Sequence, residues 1–334
     1  MLKVAHILPW ANYGGTERSV KNLCQFSQKT DPFVLVLSDG EMIQEFRKIE
    51  IPIFLTPAVD YEIIDEERAL SLLMNADLIN LHILSFRNKE SLYQLLKDTR
   101  KPFVITLRYF NKLPVLDCPI ICVASAVREL QEPANDCTTI LNGVDLSAFA
   151  YRRKQNKDKV ILTRVCRPSR CAEYFWPVLE RVLETFQNAE LWIVGEDGTS
   201  TDRIKFLGVR RASEIPDILA QTDIFVYTPH PQRGAMDNCV LETMAMGTAC
   251  VLSDVECVRD AVTHLKEGLL VPYGDQRALE KAIGSLIRDK SLRRILSQNA
   301  LRTARERFDV VNVAKRYEEF YFSFLARSHE KISF

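Results

Sequence analysis

The stretch DIFVYTPHPQRGAMDNCVLETMAMGTACVLS, Asp223 to Ser253, decides the fold. Ile224–Tyr227 is a short apolar run of strand character. A polar loop carrying Pro229, Pro231 and Gly234 follows. The spacing predicts a helix from about Cys239 to Gly247, then a strand at Ala249–Leu252. Such a βαβ unit aims the backbone N–H groups of its helix start beyond the carboxyl edge of a parallel sheet. Glu242 falls in the first turns of that helix. A carboxylate there can accept hydrogen bonds from a pair of ribose hydroxyls while the N–H groups hold a diphosphate. An ordinary βαβ unit needs no ligand for such a loop, so this stretch sets the fold class before it sets any chemistry.

Working outward, apolar strand runs alternate with helical patterns almost throughout, which predicts parallel sheets covered by helices. Lys3–Pro9, Phe33–Leu37, Asp77–His82, Phe103–Thr106 and Ile120–Ala124 read as strands of a first series, with a helix from about Thr16 to Gln28. A turn at Asn142–Gly143 and the polar run Tyr151–Lys159 mark the passage to a second series. Val160–Arg164, the helix Glu173–Thr185 and Leu191–Val194 begin it. From Lys290 to Phe334 the pattern is helical. Tyr317, Phe320, Tyr321 and Phe324 recur there at helical spacing, which predicts a packing stripe.

The chain has 334 residues, enough for two domains with separate cores. Lys plus Arg and Asp plus Glu number 44 each, a balance that argues against a general nucleic-acid binder. No apolar run reaches the roughly 18 residues of a membrane span, and the N-terminal run is too short for a secretion signal. The nine cysteines show no zinc spacing and read as buried thiols of a reducing cytosol.

Three further groups of residues carry candidate chemistry. Gly14-Gly15 joins the first strand to the first helix, where glycine lets the backbone approach a ligand and Thr16 can cap a helix that meets an anion. It is not the G-x-G-x-x-G fingerprint, because Arg18 stands where the last glycine belongs, which counts against an NAD enzyme. Arg164, Arg167 and Arg170 follow a strand end, and a planar guanidinium suits phosphate oxygens. A solvated arginine-rich loop reads equally well. His82 and Arg108 each end a strand and would project into a cleft if those strands are parallel and central, which makes both candidate catalytic residues, although a lone histidine is more often structural.

Together these pieces resemble the GT-B glycosyltransferases, most closely the retaining family 4 (glycosyl transferases group 1). The resemblance rests on GGTER at Gly14–Arg18, ASAVREL at Ala124–Leu130, NGVD at Asn142–Asp145 and LWIVGEDG at Leu191–Gly198. It continues through IPDILAQTDIFVYTP at Ile215–Pro229, NCVLETMAMGTACVLSD at Asn238–Asp254 and EGLLVPYGD at Glu267–Asp275. It implies two Rossmann-like β/α/β domains facing across a cleft. Their expected bounds are 1–146 on the acceptor side and 147–308 on the donor side, with 309–334 a helix crossing back to the first.

The resemblance also implies roles. Glu242 would hold the donor ribose, and the backbone of Val240 and Leu241 the diphosphate. Arg164 and Arg170 would stabilise the departing nucleotide, although the family's second basic residue usually falls where this chain has Ser169. Gly14 and Gly15 would border the phosphates, and Val209 and Arg210 the nucleobase. Two positions depart from the pattern: the first signature glutamate falls at Gly234, and the first-domain histidine at Arg108. Asp237, Asn238 or Arg233 are candidates to replace the glutamate, and Arg108 to meet an anion on sugar or acceptor or to pair internally.

The implied activity is retaining, metal-independent transfer from a UDP- or GDP-linked sugar to a glycan or lipid-linked acceptor. No cofactor, metal or nucleic acid is expected. The expected location is cytoplasmic, with peripheral contact at the inner membrane face suggested by the basic segment Lys97–Lys112. The two departures keep a non-catalytic nucleotide-sugar-binding subunit open as an alternative. A sugar-nucleotide epimerase of the same fold would need catalytic carboxylates and histidines, of which only His82 is available.

Overall fold

The computed structural model describes residues 1–59, 61–152, 159–231 and 237–332. The chain divides into two compact units, Met1–Gly143 with Val310–Phe334, and Val144–Asp309.

The first unit begins β1 (Leu2–Leu8), α1 (Gly15–Phe26), β2 (Thr30–Val36), α2 (Met42–Lys48) and β3 (Ile53–Leu55). A small antiparallel hairpin of β4 (Ala58–Val59) and β5 (Glu62–Ile63) follows. Then come α3 (Glu66–Leu73), β6 (Leu78–Ile83), α4 (Glu90–Asp98), β7 (Phe103–Leu107), β8 (Ile120–Cys122), α5 (Ser125–Gln131) and β9 (Cys137–Thr139). Seven strands form one sheet in the order β3-β2-β1-β6-β7-β8-β9, with neighbouring strands parallel. All of β6 is buried, as in a strand covered on both faces, and it carries the polar Asn80 and His82 among its apolar residues.

The second unit contains β10 (Val160–Val165), a 3-10 turn at Pro168–Arg170, α6 (Phe175–Thr185), β11 (Ala189–Val194), β12 (Ile204–Phe206) and α7 (Ile215–Leu219). It continues with β13 (Ile224–Tyr227), α8 (Asn238–Ala245), β14 (Ala249–Asp254), α9 (Glu256–Arg259), β15 (Gly268–Pro272), α10 (Gln276–Arg288) and α11 (Lys290–Arg307). Its six strands lie in the order β12-β11-β10-β13-β14-β15, also parallel. The order reverses between β10 and β13, so the carboxyl ends of these strands flank the position where a doubly wound sheet takes its ligand. The core beneath is built from β-branched strand residues such as Val226 and Val251 against Phe175, Leu179 and Ile283. Helix α8 ends because Gly247 takes φ +60°, which glycine adopts without Cβ strain.

The last helix, α12 (Val310–Ile332), packs on the first unit. Tyr317 and Tyr321 are buried against Val4, Leu78 and Val104, with Phe320 and Phe324 at the margin. The aromatic stripe is therefore core. One carboxylate fixes this helix: Oε1 of Glu318, itself buried, accepts from three successive backbone N–H groups, Gln28 at 2.7 Å, Lys29 at 2.5 Å and Thr30 at 3.1 Å. Gln28 and Lys29 lie in the turn before β2 and Thr30 opens the strand, and one carboxylate oxygen accepts from all three.

Replacing Glu318 strands those donors in a buried turn. Glu318→Ala is expected to weaken the first unit by about 1–3 kcal/mol. Amide exchange should show faster opening of α12 and of residues 28–30, with α8 and β13 in the second unit unaffected. Uniform acceleration in both units, or none, would contradict the clamp.

Candidate functional site

In the second unit the strand ends β10, β13 and β14 converge on the start of α8. Helix geometry leaves the first N–H groups of α8 without intrahelical acceptors and gives that end a partial positive charge. Asp237 stands at the N-cap, and its side chain makes no cap bond. Instead it accepts a hydrogen bond from the Tyr227 hydroxyl at the end of β13. Burial holds the Asp237 carboxyl above the ordinary carboxylate range, opposed by the Tyr227 hydrogen bond and by the charge of Arg170. Arg170 is thus electrostatically close to the helix start. Val240 and Leu241 are fully buried side chains that could meet a ligand only through their backbone, and the Val240 N–H donates to the Asp237 C=O at 3.0 Å. Glu242 is buried, and Asn238 half-buried, on the same helix.

The two arginines differ sharply. Arg164 is 1% exposed. Its Nη2 donates to Glu196, and its guanidinium lies 5.1 Å from the Phe175 ring centre and 5.8 Å from that of Trp176. Its Nε is buried without a hydrogen-bond partner among the described residues. Arg164 is therefore an internal cation, not the open phosphate clamp expected. Arg170 is half-buried and Arg167 exposed, both on the turn that follows β10. Val209 is 78% exposed, and Arg210 pairs with Glu214 at 3.2 Å. Both lie past β12, the outer strand, two strands removed from β10. Gly234 and Arg233 fall outside the described residues.

The first unit holds the remaining candidates. Gly14 is the N-cap of α1. A Cβ there would sit 2.3 Å from Oε2 of Glu17, which is 2% exposed. The helix start expected to meet an anion therefore already holds a carboxylate of its own at Gly14-Gly15. His82 is fully buried, and both of its ring nitrogens are engaged. Nε of Arg108 donates to His82 Nδ1 at 3.2 Å, and His6 Nδ1 lies 2.9 Å from His82 Nε2. A guanidinium N–H only donates, so His82 Nδ1 accepts. Neutral His82 then carries its proton on Nε2 and donates it to His6 Nδ1. Arg108 is 7% exposed and also donates from Nη1 to Asn142 Oδ1 at 3.1 Å. His82 is thus a positioning residue for Arg108, and Arg108 is committed to internal partners rather than to an incoming acid. Beside them lies a cavity of about 10 Å³, lined among others by Ser19, Asn22, Arg108 and Asn142, with room for one water.

The sequence reading missed Glu196, Glu17 and Tyr227. A carboxylate directly after the strand-ending Gly195 was a usable signal for the first, since strand ends face the site. The others show only in the fold, Glu17 beside Gly14 three residues back and Tyr227 against Asp237 ten residues on. Among the described residues no group of three or more His, Cys, Asp or Glu side chains is placed to hold a metal, and no helix is long and apolar enough to cross a membrane.

Residues 157–289 match the family model described as Glycosyl transferases group 1. The phosphatidyl-myo-inositol mannosyltransferase of Mycolicibacterium smegmatis is 27% identical over 191 residues, 52% of this chain and 49% of that protein. The N,N'-diacetylbacillosaminyl-diphospho-undecaprenol alpha-1,3-N-acetylgalactosaminyltransferase of Campylobacter jejuni is 32% identical over 118 residues, 35% of this chain and 30% of that one. The chain spans about half the length of the mannosyltransferase, and less of the second. The crystal structure of Anabaena HepE in complex with UDP and glucose superposes with a TM-score of 0.79 at 17% identity, covering 97% of this chain and 100% of that one. A glycosyltransferase of Rickettsia africae gives 0.81 at 14%, over 97% and 98%. The fold is that of the GT-B glycosyltransferases, and residues 157–289 are similar to the group 1 family.

Burial, and next the charge of Arg108, push the His6 imidazole down from 6.5 to about 3 and His82 well below its usual range. Both rings are neutral in the folded unit, whereas the unfolded chain takes up protons near 6.5. The pair's contribution to stability is therefore present above about pH 6.5 and lost as pH falls. The urea midpoint of the first unit should drop between about pH 7 and about pH 5 while both rings stay neutral by NMR. Titration of either ring near 6.5 in the folded protein would contradict this.

Proposed function

We propose that this protein transfers a sugar from a nucleotide diphosphate sugar to a hydroxyl of a glycan or lipid-linked acceptor. The observation that carries the reading is the start of α8. A helix N-terminus, a buried Glu242 on the same helix and the Arg170 guanidinium in charge contact with Asp237 meet at the carboxyl edge of a parallel sheet. N–H groups and a guanidinium suit a diphosphate, and a carboxylate suits a ribose diol. The similarity to named glycosyltransferases supports the same class.

Breaking the anomeric bond leaves negative charge on the β-phosphate. Donors fixed before the reaction lower that barrier most, because they need no reorganisation as the charge develops. Arg170 and the α8 N–H groups take this role. Glu242 orients the nucleotide, and Asp237 and Asn238 are candidates to replace the signature glutamate that the sequence lacks at Gly234. Arg164 supports the turn from below. With cations of the chain itself at the leaving group, transfer proceeds without a divalent metal. The anomeric configuration is retained by front-face attack, the leaving phosphate taking the acceptor proton. An undecaprenyl or phosphatidylinositol type of acceptor, as named in the relatives, would bring the protein to a membrane surface as a peripheral enzyme.

Calorimetry with UDP and GDP tests the nucleotide reading. Glu242→Gln should weaken the preferred nucleotide about tenfold or more, the size of one lost charge-assisted hydrogen bond. No binding of either nucleotide by the wild type would end the proposal. A donor screen read by nucleoside diphosphate release then tests turnover. Release should survive a chelator, and NMR of the product should show the donor's anomeric configuration. Binding without release on any donor would leave the chain a nucleotide-sugar binder.

A further inference from the structure

The first unit holds a buried cation that the proposed chemistry does not use. Its strand order reverses between β1 and β6, so the carboxyl ends of these two strands flank a switch point of its own. Lys89 lies in the segment that follows β6 and is the N-cap residue of α4. It is 2% exposed. Its Nζ donates to the Arg87 C=O at 3.0 Å and sits 3.7 Å from the centre of the Tyr61 ring. Trp10, in the segment that follows β1, has its ring centre 6.4 Å from that of Tyr61.

This placement opposes stability. Lysine is almost never fully buried unless an anion pairs with it. Here its partners are a carbonyl and an aromatic face, and neither carries a net charge. Among the described residues no carboxylate forms an ion pair with Lys89. Burial pushes its ammonium below the usual range, with only the charge of the exposed Glu90 opposing. The dipole of α4 adds partial positive charge at the same end of the helix, where a cation is disfavoured. The backbone holds the residue there all the same. Its N–H donates to the Phe86 C=O at 3.1 Å, and its C=O accepts from the Tyr93 N–H at 2.9 Å. The ring over the cation is strained as well, since Tyr61 takes φ +70°, an outlying conformation for a bulky residue.

We propose that Lys89 is the specificity-determining residue of an anion subsite in the first unit, and that its ligand is a phosphate ester carried by the acceptor. That the phosphate belongs to the acceptor rests on the transfer proposed above; the subsite itself does not. The phosphate displaces the Tyr61 ring and supplies the negative partner that the fold omits. A compact ammonium acts as a point charge and suits a tetrahedral phosphate, whereas a planar carboxylate is matched best by the fork of an arginine. The start of α4 favours the same anion. Releasing Tyr61 from its left-handed conformation offsets part of the lost contact between cation and ring. A lipid headgroup and a soluble sugar phosphate present the same group to Lys89.

The experiment uses the full chain without nucleotide. Inorganic phosphate, glucose 1-phosphate and a short-chain phosphatidylinositol below its micelle-forming concentration are titrated in turn. The readout is Trp10 fluorescence, which separates this subsite from the second unit, whose edge also suits phosphate. All three should bind in competition, and the tighter ester names the source. The emission change should vanish in Trp10→Phe. Lys89→Met keeps the bulk of the side chain and removes its charge. It should weaken phosphate about tenfold or more and yet raise the urea midpoint of the first unit, because an unpaired buried charge is gone. A cation kept for structure alone would lower that midpoint. Tyr61→Leu offers no π face to displace and should bind phosphate several-fold more tightly. Once turnover is found, the preference in kcat/KM for a phosphorylated acceptor over its unphosphorylated analogue should fall about tenfold in Lys89→Met. Absence of phosphate binding, equal binding by Lys89→Met, a lower midpoint in that variant, or no gain in Tyr61→Leu overturns the proposal. If the protein binds no nucleotide, the function proposed above fails, and the phosphate titrations alone then decide this subsite.

Discussion

The buried guanidinium of Arg164 organises the second unit's working edge. Removing such a charge from water costs several kcal/mol unless it is paired and hydrogen-bonded. The chain meets that cost from three directions. Glu196 comes from the loop after β11, Phe175 and Trp176 from α6, and Cys171 from the turn after β10, where it also meets Thr228 at the end of β13. One cation therefore ties together the ends of three strands and the start of a helix. The turn bearing Arg167 and Arg170 leaves this anchor with its own backbone docked on β13 through Ala172. The half-buried Arg170 guanidinium sits on a turn anchored beside the hidden one of Arg164.

The first unit handles its strand-end cation by another route. Arg108 follows β7 and faces a neutral imidazole and an amide. A positive charge cannot be neutralised by such partners, so it passes its constraint along as a tautomer. Arg108 fixes the proton of His82, and His82 fixes that of His6. On the same sheet the side chains of Thr106, Asn80 and Tyr321 form a second buried chain, at 2.8 and 2.6 Å, that reaches α12. Buried polar networks of this kind are stable only when every member is satisfied. This is why α12, held by Glu318 at its other contact, is part of the first unit's core rather than an appendage.

The architecture was legible because strands buried on both faces are continuous apolar runs and covering helices are amphipathic. Ile224–Tyr227 was read without error, and β1, β7 and β10 to within a residue or two. The strands β3, β4, β5 and β9 were not, because two or three residues carry no period. The aromatic stripe at Tyr317–Phe324 was legible for the same reason as the strands. Side-chain roles were less so. Arg164 and Arg170 look alike in TRVCRPSR, yet strand alternation hides the first and the turn presents the second. Spacing rules out zinc at Cys166 and Cys171 but says nothing of Thr228, which approaches only once β13 pairs with β10. Gly14-Gly15 suggested an open anion site, and only the folded position of Glu17 shows it filled.

Asp237 joins these constraints to the proposed chemistry. A carboxylate at a helix start ordinarily has its ionised form favoured by the dipole. Here burial outweighs that, and the ionised form leans on the Tyr227 hydroxyl and the Arg170 charge. A diphosphate arriving at the same helix start would draw on Arg170 and add its own negative charge. Both effects disfavour the Asp237 anion, so anion binding and protonation of Asp237 reinforce one another by linkage. The carboxyl, once protonated, would be a hydrogen-bond donor toward the ligand rather than a second anion beside it. A residue that destabilises the empty edge in its charged form thereby favours the occupied one. This is a physical reason for an aspartate at the N-cap of α8 that makes no cap bond.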